Sequence, residues 1–416
     1  MEIRIISSEI IKPSSPTPDH LRSYKLSDMD QYTLYKSFSV VYFYSRGCEN
    51  SHDLKKSLSK TLTYYYPFAG RVKDEFSVEC DDYGVTFIEA HVGCDMSELI
   101  KQPKMELLEL LRPYNEEEIL IAQVNLAVKV NYFDCGGVAI CLTFRHAIAD
   151  GCASAHFVRN WSKVAAANCA DGIISKDAIF DRTSIFPSQD DVPEINHKRK
   201  PDANDEHVTK WFVFENSNIA VLQEKIGNRS TRFEALLALM WGAIIDAEEE
   251  SKNKSNPTQC GALIAVNLRR KLNPPLHDQS IGNAIVIGMT AWPTKERAKY
   301  DKIVLKYREL ISMVDENVKN GFRNGSKTLI INHAAIEENI STMKMINFNA
   351  VMKLPFYETD FGWGKPVWFS PAQRPKSSTF SLSDTPDAKG LQAVVHLSKE
   401  DMAKFEQHPA ILAYAS

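Results

Sequence analysis

Residues 187–207 form a polar, proline-punctuated stretch with no hydrophobic periodicity, and they divide the 416-residue chain into two parts of similar size. A segment with no apolar face to bury is what a domain boundary looks like. Helix and strand signals mix on both sides of it, and no repeat of fixed period is visible. The pattern therefore predicts a mixed α/β protein of two units, 1–195 and 208–416, joined by a crossover linker at 187–207, rather than one long βα array. At 44% hydrophobic and 25% charged residues, the chain can bury a core for two or three domains.

In the first unit, Leu54, Leu58 and Leu62 recur at helical spacing, and Tyr66-Pro67-Phe68-Ala69-Gly70-Arg71 ends that helix. Gly84 to Val92 reads as a strand. Ala127 to Phe133 and Val138 to Phe144 read as a hairpin, because Gly136 and Gly137 permit the positive φ of a tight turn. Beyond Asp150, Ala153, Phe157, Trp161 and Val164 form a helical stripe. In the second unit, Lys210 to Phe214 predicts a strand. Thr231-Arg232-Phe233-Glu234 is a capping-box pattern opening a buried helix to Asp246. A surface loop over 248–257, a strand over 262–268, a helix over 302–318 and a strand over 391–397 complete the reading.

Composition removes several functions. A net charge of −4 and a pI near 6.3 supply no global field for nucleic acid. The densest basic run, His197-Lys198-Arg199-Lys200, is followed by Asp202, Asp205 and Glu206 and reads as solvated linker. Glu2 and Arg4 fall where a signal peptide would be apolar, and Pro13 and Pro16 break the segment. The longest apolar stretch, Ala235 to Ile245, is shorter than the ~20 residues that span a bilayer. The eight cysteines show neither Cys-x-x-Cys nor paired Cys/His spacing, so no metal is expected and reduced core thiols are. The expectation is a soluble, cytoplasmic chain with no membrane or nucleic-acid partner.

Signatures of dinucleotide binding, phosphate loops, serine hydrolases and zinc proteases are absent. Two His-x-x-x-Asp pairs remain, His91–Asp95 and His146–Asp150, where chance alone supplies about one. His146 stands where an apolar strand stops and a helix begins, so its side chain can enter a cleft from a fixed backbone. Asp150 and Gly151 lie at the helix start, where free amides favour a carboxylate. His91 leaves a strand into Gly93-Cys94 with no strong helix signal behind it. Far downstream, Asp360-Phe361-Gly362-Trp363-Gly364 places two glycines around a tryptophan.

With these two motifs the chain resembles the BAHD family of acyl-CoA-dependent acyltransferases. The resemblance extends through Leu54 to Arg71, Phe157 and Trp161, Thr231 to Trp241, Asn267-Leu268-Arg269, Asn273 to Leu276, and Gly282-Asn283. Pro13 to Pro18 looks most like the vinorine synthase-like branch. The resemblance implies a two-domain fold of chloramphenicol-acetyltransferase-like topology with the active site in a channel at the domain interface. It also implies a monomer that binds no cofactor and takes acyl-CoA, by preference acetyl-CoA, as co-substrate. The acceptor would be a small-molecule alcohol, an alkaloid or terpenoid. Sugar, volatile-alcohol or amine acceptors with other acyl donors, or an idle homologue acting as a binding protein, are the alternatives. A condensation-type domain shares His-x-x-x-Asp-Gly but usually doubles the histidine, whereas Arg145 precedes His146 here.

The resemblance makes His146 the general base, a task suited to an imidazole titrating near ~6.5. It makes Asp150 a support of the base, paired with Arg269, Arg270 or Lys271. Asp360, with Gly362, Trp363 and Gly364, becomes a structural turn with a basic partner from the same segment. Where many relatives carry a hydroxyl residue and then tryptophan, this chain has Asn349-Ala350-Val351. That departure predicts a wider pocket, with Asn349 a candidate to polarise the acyl carbonyl. His156 falls on the helix face opposite the core stripe, Tyr64-Tyr65-Tyr66 and Trp241 read as packing residues, and Cys152 lacks a charge partner that would activate it.

Overall fold

The computed structural model describes residues 1–47, 51–169, 174, 183–188, 206–227, 229–250, 259–321, 330–331 and 343–416. Most of the expected linker, 189–205, and most of the expected loop at 248–257 lie outside the described residues.

The first unit takes residues 1–195 together with 273–284 and 354–374. Its six-stranded sheet runs, in spatial order, Ile3–Ile11, Val85–Val92, Leu126–Phe133, Val138–Arg145, Ser37–Tyr44 and Trp368–Pro371. The expected hairpin is present, antiparallel from Leu126↔Phe144 to Tyr132↔Val138, and Gly136 turns it at φ +81°. The edge strand Ile3–Ile11 gives little sequence signal because most of its side chains are exposed. Helices His52–Tyr64 and Gly151–Ala166 pack together, with Trp161 Nε1 donating to Leu54 O (3.2 Å) and Ser57 Oγ (3.0 Å). The Asp360 motif was expected in the second unit and lies in the first. The reason is the ladder directly after it, where Trp368–Pro371 pairs antiparallel with Val40–Phe43.

The second unit takes residues 196–272, 285–353 and 375–416. Its mixed seven-stranded sheet runs Ile330–Ile331, Ile285–Pro293, Gln259–Asn267, Lys344–Ala350, Thr379–Asp384, Gly390–Ser398 and His207–Glu215. The apolar run read as a buried helix is Arg232–Glu249, opened by the expected capping box. Glu234 N donates to Thr231 Oγ1 (3.2 Å) and Thr231 N to Glu234 Oε2 (2.7 Å). Arg308 Nε adds 2.7 Å to Glu234 Oε1 and helps hold that carboxyl below its ordinary range. Glu234→Ala removes one half of the box and leaves Arg308 without this carboxylate. It should lower stability by about 1–3 kcal/mol, read as a fall of several degrees in Tm with turnover of the folded enzyme unchanged.

Seven cysteines are described, all as free thiols. Cys80, Cys141, Cys152 and Cys260 are buried as expected, whereas Cys135 is exposed and Cys94 and Cys169 are half-buried. Those three lie in turns, where a small thiol needs no core. Among the described residues no helix is long and apolar enough to cross a membrane, and no His/Cys/Asp/Glu group could hold a metal.

Candidate active site around His146

The strand Val138–Arg145 stops at His146, which opens one 3₁₀ turn before Asp150 caps helix Gly151–Ala166. Both backbone groups of His146 are tied. Its N–H donates to Lys36 O (2.8 Å), and its carbonyl accepts from Asn283 Nδ2 (2.7 Å). The ring meets the Phe38 ring edge-on at 5.0 Å between centroids, and Phe38 stacks on Phe144 at 5.4 Å. Burial pushes the imidazole below its ordinary pKa, and nearby Lys36 adds to the effect. Hydrogen bonding to its own carbonyl and to Asn283, with the charge of Asp150, opposes it but does not win. A ring so placed is neutral at pH 7 and able to accept a proton.

Asp150 is 2% exposed. Its Oδ1 accepts from Ala153 N (2.9 Å), the cap of the helix, and its Oδ2 from Ala284 N (3.1 Å). Beside these, Gly282 N donates to Ile148 O at 2.6 Å, and Ala149 bridges Gly282 in parallel. The segment 282–284 is thus sewn along the turn 146–150, and Asp150 acts as the staple between that segment and the helix. Of the basic residues expected near Asp150, Arg269 is fully buried and its backbone N–H donates to Asn267 Oδ1 (3.0 Å). Lys271 Nζ lies 2.6 Å from Asp315. Both belong to the second unit.

His91–Asp95 differs in one respect from its sequence reading. A helix does follow it, Met96–Lys101, and Asp95 caps this helix through Ser97 N (2.7 Å). Six residues are too few to show a periodic stripe. His91 Nε2 is taken by Asp134 at 2.9 Å, on a side chain 41% exposed. That solvated pairing separates it from His146.

Asp360 was expected to hold a basic partner. Its described contacts are amides instead, with Gly362 N at 2.8 Å and Gly364 N at 2.9 Å donating to Oδ1. Gly362 (φ +100°) and Gly364 (φ +108°) take backbone conformations that side chains resist, which turns successive N–H groups toward one carboxylate. Phe361 meets Trp161 edge-on at 4.9 Å, and Gly362 lies against Ala166, the last residue of the helix. The helix has 16 residues, so the motif sits about 24 Å along it from the Asp150 cap. Trp363 packs on Tyr44 and Phe361. Asn349 is exposed near the end of strand Lys344–Ala350, opposite Ser381 in the second unit. His156 is half-buried on a helix buried nearly all round, and Trp241 is fully buried as a packing residue.

Comparison with known proteins places these features. The model of the Transferase family matches residues 1–412. An epi-neemfruitin B synthase of Melia azedarach is 43% identical, with 100% of this chain and 99% of that one aligned. A limonoid 1-O-acetyltransferase of Citrus sinensis is 41% identical over the same shares. Among solved structures, vinorine synthase matches with a TM-score of 0.82 at 29% identity, covering 97% of this chain and 96% of that one. The F. sporotrichioides TRI101 structure, complexed with coenzyme A and T-2, shares the fold at a TM-score of 0.74 and 15% identity, over 95% of this chain and 99% of that one. The mixed α/β fold and these likenesses define an acyl-CoA-dependent O-acyltransferase of specialised metabolism. The chain belongs to the Transferase family, the BAHD acyltransferases.

Proposed function

We propose that the chain transfers an acetyl group from acetyl-CoA to a hydroxyl of a limonoid-type terpenoid alcohol, with His146 as general base. The observation that carries the acceptor class is full-length identity of 41% to a limonoid 1-O-acetyltransferase. The lowered pKa of His146 supports the role of base. In the reaction the imidazole takes the alcohol proton as the oxygen attacks the thioester carbonyl. The C–S bond then breaks, and the proton passes to the departing CoA thiolate, leaving ester and free CoA. Asp150, holding two backbone amides, keeps the turn that presents the base.

The test incubates purified enzyme with acetyl-CoA and two panels of alcohols, limonoid and alkaloid. Free CoA thiol and the mass of the product are read. Thiol release with limonoid alcohols, and a product heavier by one acetyl group, is expected. Turnover confined to alkaloid alcohols would overturn the acceptor class, and no thiol release with either panel would overturn the activity.

A further inference from the structure

The segment before strand Ser37–Tyr44 carries no periodic sequence signal, yet it packs around His146. We infer that Asp30 is a positioning residue for His146, acting through Asn283. The inference rests on the reading of His146 as base and adds the group that holds it.

Ser27 and Asp30 form a capping box around the short helix Asp28–Gln31. Asp30 is fully buried, and one carboxylate oxygen, Oδ2, accepts from Ser27 N (3.0 Å) and Ser27 Oγ (2.7 Å). The capping role is complete with that oxygen. The other, Oδ1, accepts from Asn283 twice, from its backbone N (2.8 Å) and from its side-chain Nδ2 (3.0 Å). Neither contact belongs to the helix.

A carboxylate only accepts, so Asp30 fixes which end of the Asn283 amide faces it. Nδ2 must point toward Asp30, and the same nitrogen then reaches Thr33 Oγ1 (3.1 Å) and His146 O (2.7 Å). Thr33 Oγ1 donates its own proton to Asp30 O (3.0 Å), which leaves its lone pairs for Asn283. Asp30 and Asn283 are both fully buried, so no water substitutes for a lost partner at low cost. Further along the same segment, Lys36 O holds His146 N and Phe38 flanks the ring. Residues 30–38, through Asn283 for the carbonyl and directly for the amide and one edge of the ring, therefore hold His146, and Asp30 is the member that orients Asn283.

Asparagine at position 30 keeps the size but turns one end of the group into a donor. That end faces either the two donors of Ser27 or the two of Asn283. Asp30→Asn should lower kcat about 10–100-fold while leaving KM for acetyl-CoA within about twofold, since a small misplacement of a base weakens chemistry more than substrate binding. Asn283→Ala should show a similar loss. The double variant should be no slower than Asn283→Ala alone within about threefold, because Asp30 acts through that side chain. Glu234→Ala supplies the control for a loss of stability with intact kcat. Normal kcat in folded Asp30→Asn, or losses that multiply in the double variant, would overturn the inference. If Asp30→Asn yields no folded protein, Thr33→Val removes a second acceptor of the same amide. A severalfold drop in its kcat supports the inference, and unchanged kcat refutes it. His146→Ala, assayed alongside, separates the two readings. Full activity there removes the base itself, whereas a dead His146→Ala with a normal Asp30→Asn removes the positioning role alone.

Discussion

Replacing His146 with alanine should lower kcat at least ~100-fold while the protein stays folded and continues to bind acyl-CoA. A positioned base contributes about 10²–10⁴ in rate, and alanine leaves the alcohol proton with no acceptor but water. The variant keeps both backbone ties of residue 146, to Lys36 and Asn283, so the turn and the Asp150 cap persist. The loss should therefore fall in kcat, with little change in Tm. The pH profile of the parent enzyme provides a second measurement on the same residue. With His146 as the proposed base the active form is the neutral imidazole, and burial lowers its pKa from the ordinary value near 6.5. The rate should thus be flat through pH 7 and fall only as the pH drops through that lowered value, on the acid side of 6.5. An acid limb centred above pH 7 would contradict the burial argument, and near-normal turnover in the alanine variant would remove His146 from the chemistry.

How much of this was legible in the sequence depends on what each feature asks of its neighbours. Strand Val138–Arg145 declares itself through a continuous apolar run and helix Gly151–Ala166 through an apolar period near four, and His146 between them follows. Thr231 and Glu234 declare a cap because both halves of the box sit three positions apart in one segment. Asn283 and Asp30 could not be found this way. The amide that bonds the carbonyl of His146 is 137 positions from it, and the carboxylate that accepts from this amide lies 253 positions before Asn283. Ser27-x-x-Asp30 was a visible box pattern, but no apolar run followed it, since its helix has only four residues. Asp360 failed differently. The resemblance implies a cation for it, yet two glycines at positive φ offer it amides nearer at hand.

Trp161→Ala should produce the largest loss of stability, because this side chain joins three elements at the far end of the base's helix. It is fully buried, bonds Leu54 O and Ser57 Oγ through Nε1, and receives Phe361 on its ring. Truncation opens a cavity the size of an indole and removes the donor to a buried carbonyl and hydroxyl. A loss of about 3–5 kcal/mol follows from the cavity term, and for a unit of this size each kcal/mol is worth about 2–4 °C in Tm. Thermal denaturation should accordingly show a fall on the order of 10 °C. Trp161→Phe keeps much of the volume and the edge contact with Phe361 but removes the indole donor, while Leu54 O still accepts from Ser57 Oγ (3.0 Å), so its cost should be about 1 kcal/mol. The two variants therefore separate packing from hydrogen bonding. Because Trp161 stands eleven residues beyond the Asp150 cap, about 16 Å along the helix, the surviving folded enzyme should keep kcat within a few-fold at low temperature. A shift in Tm below about 2 °C would show that the Asp360 turn is held by other contacts. A collapse of kcat in still-folded protein would show instead that the helix transmits its packing to His146.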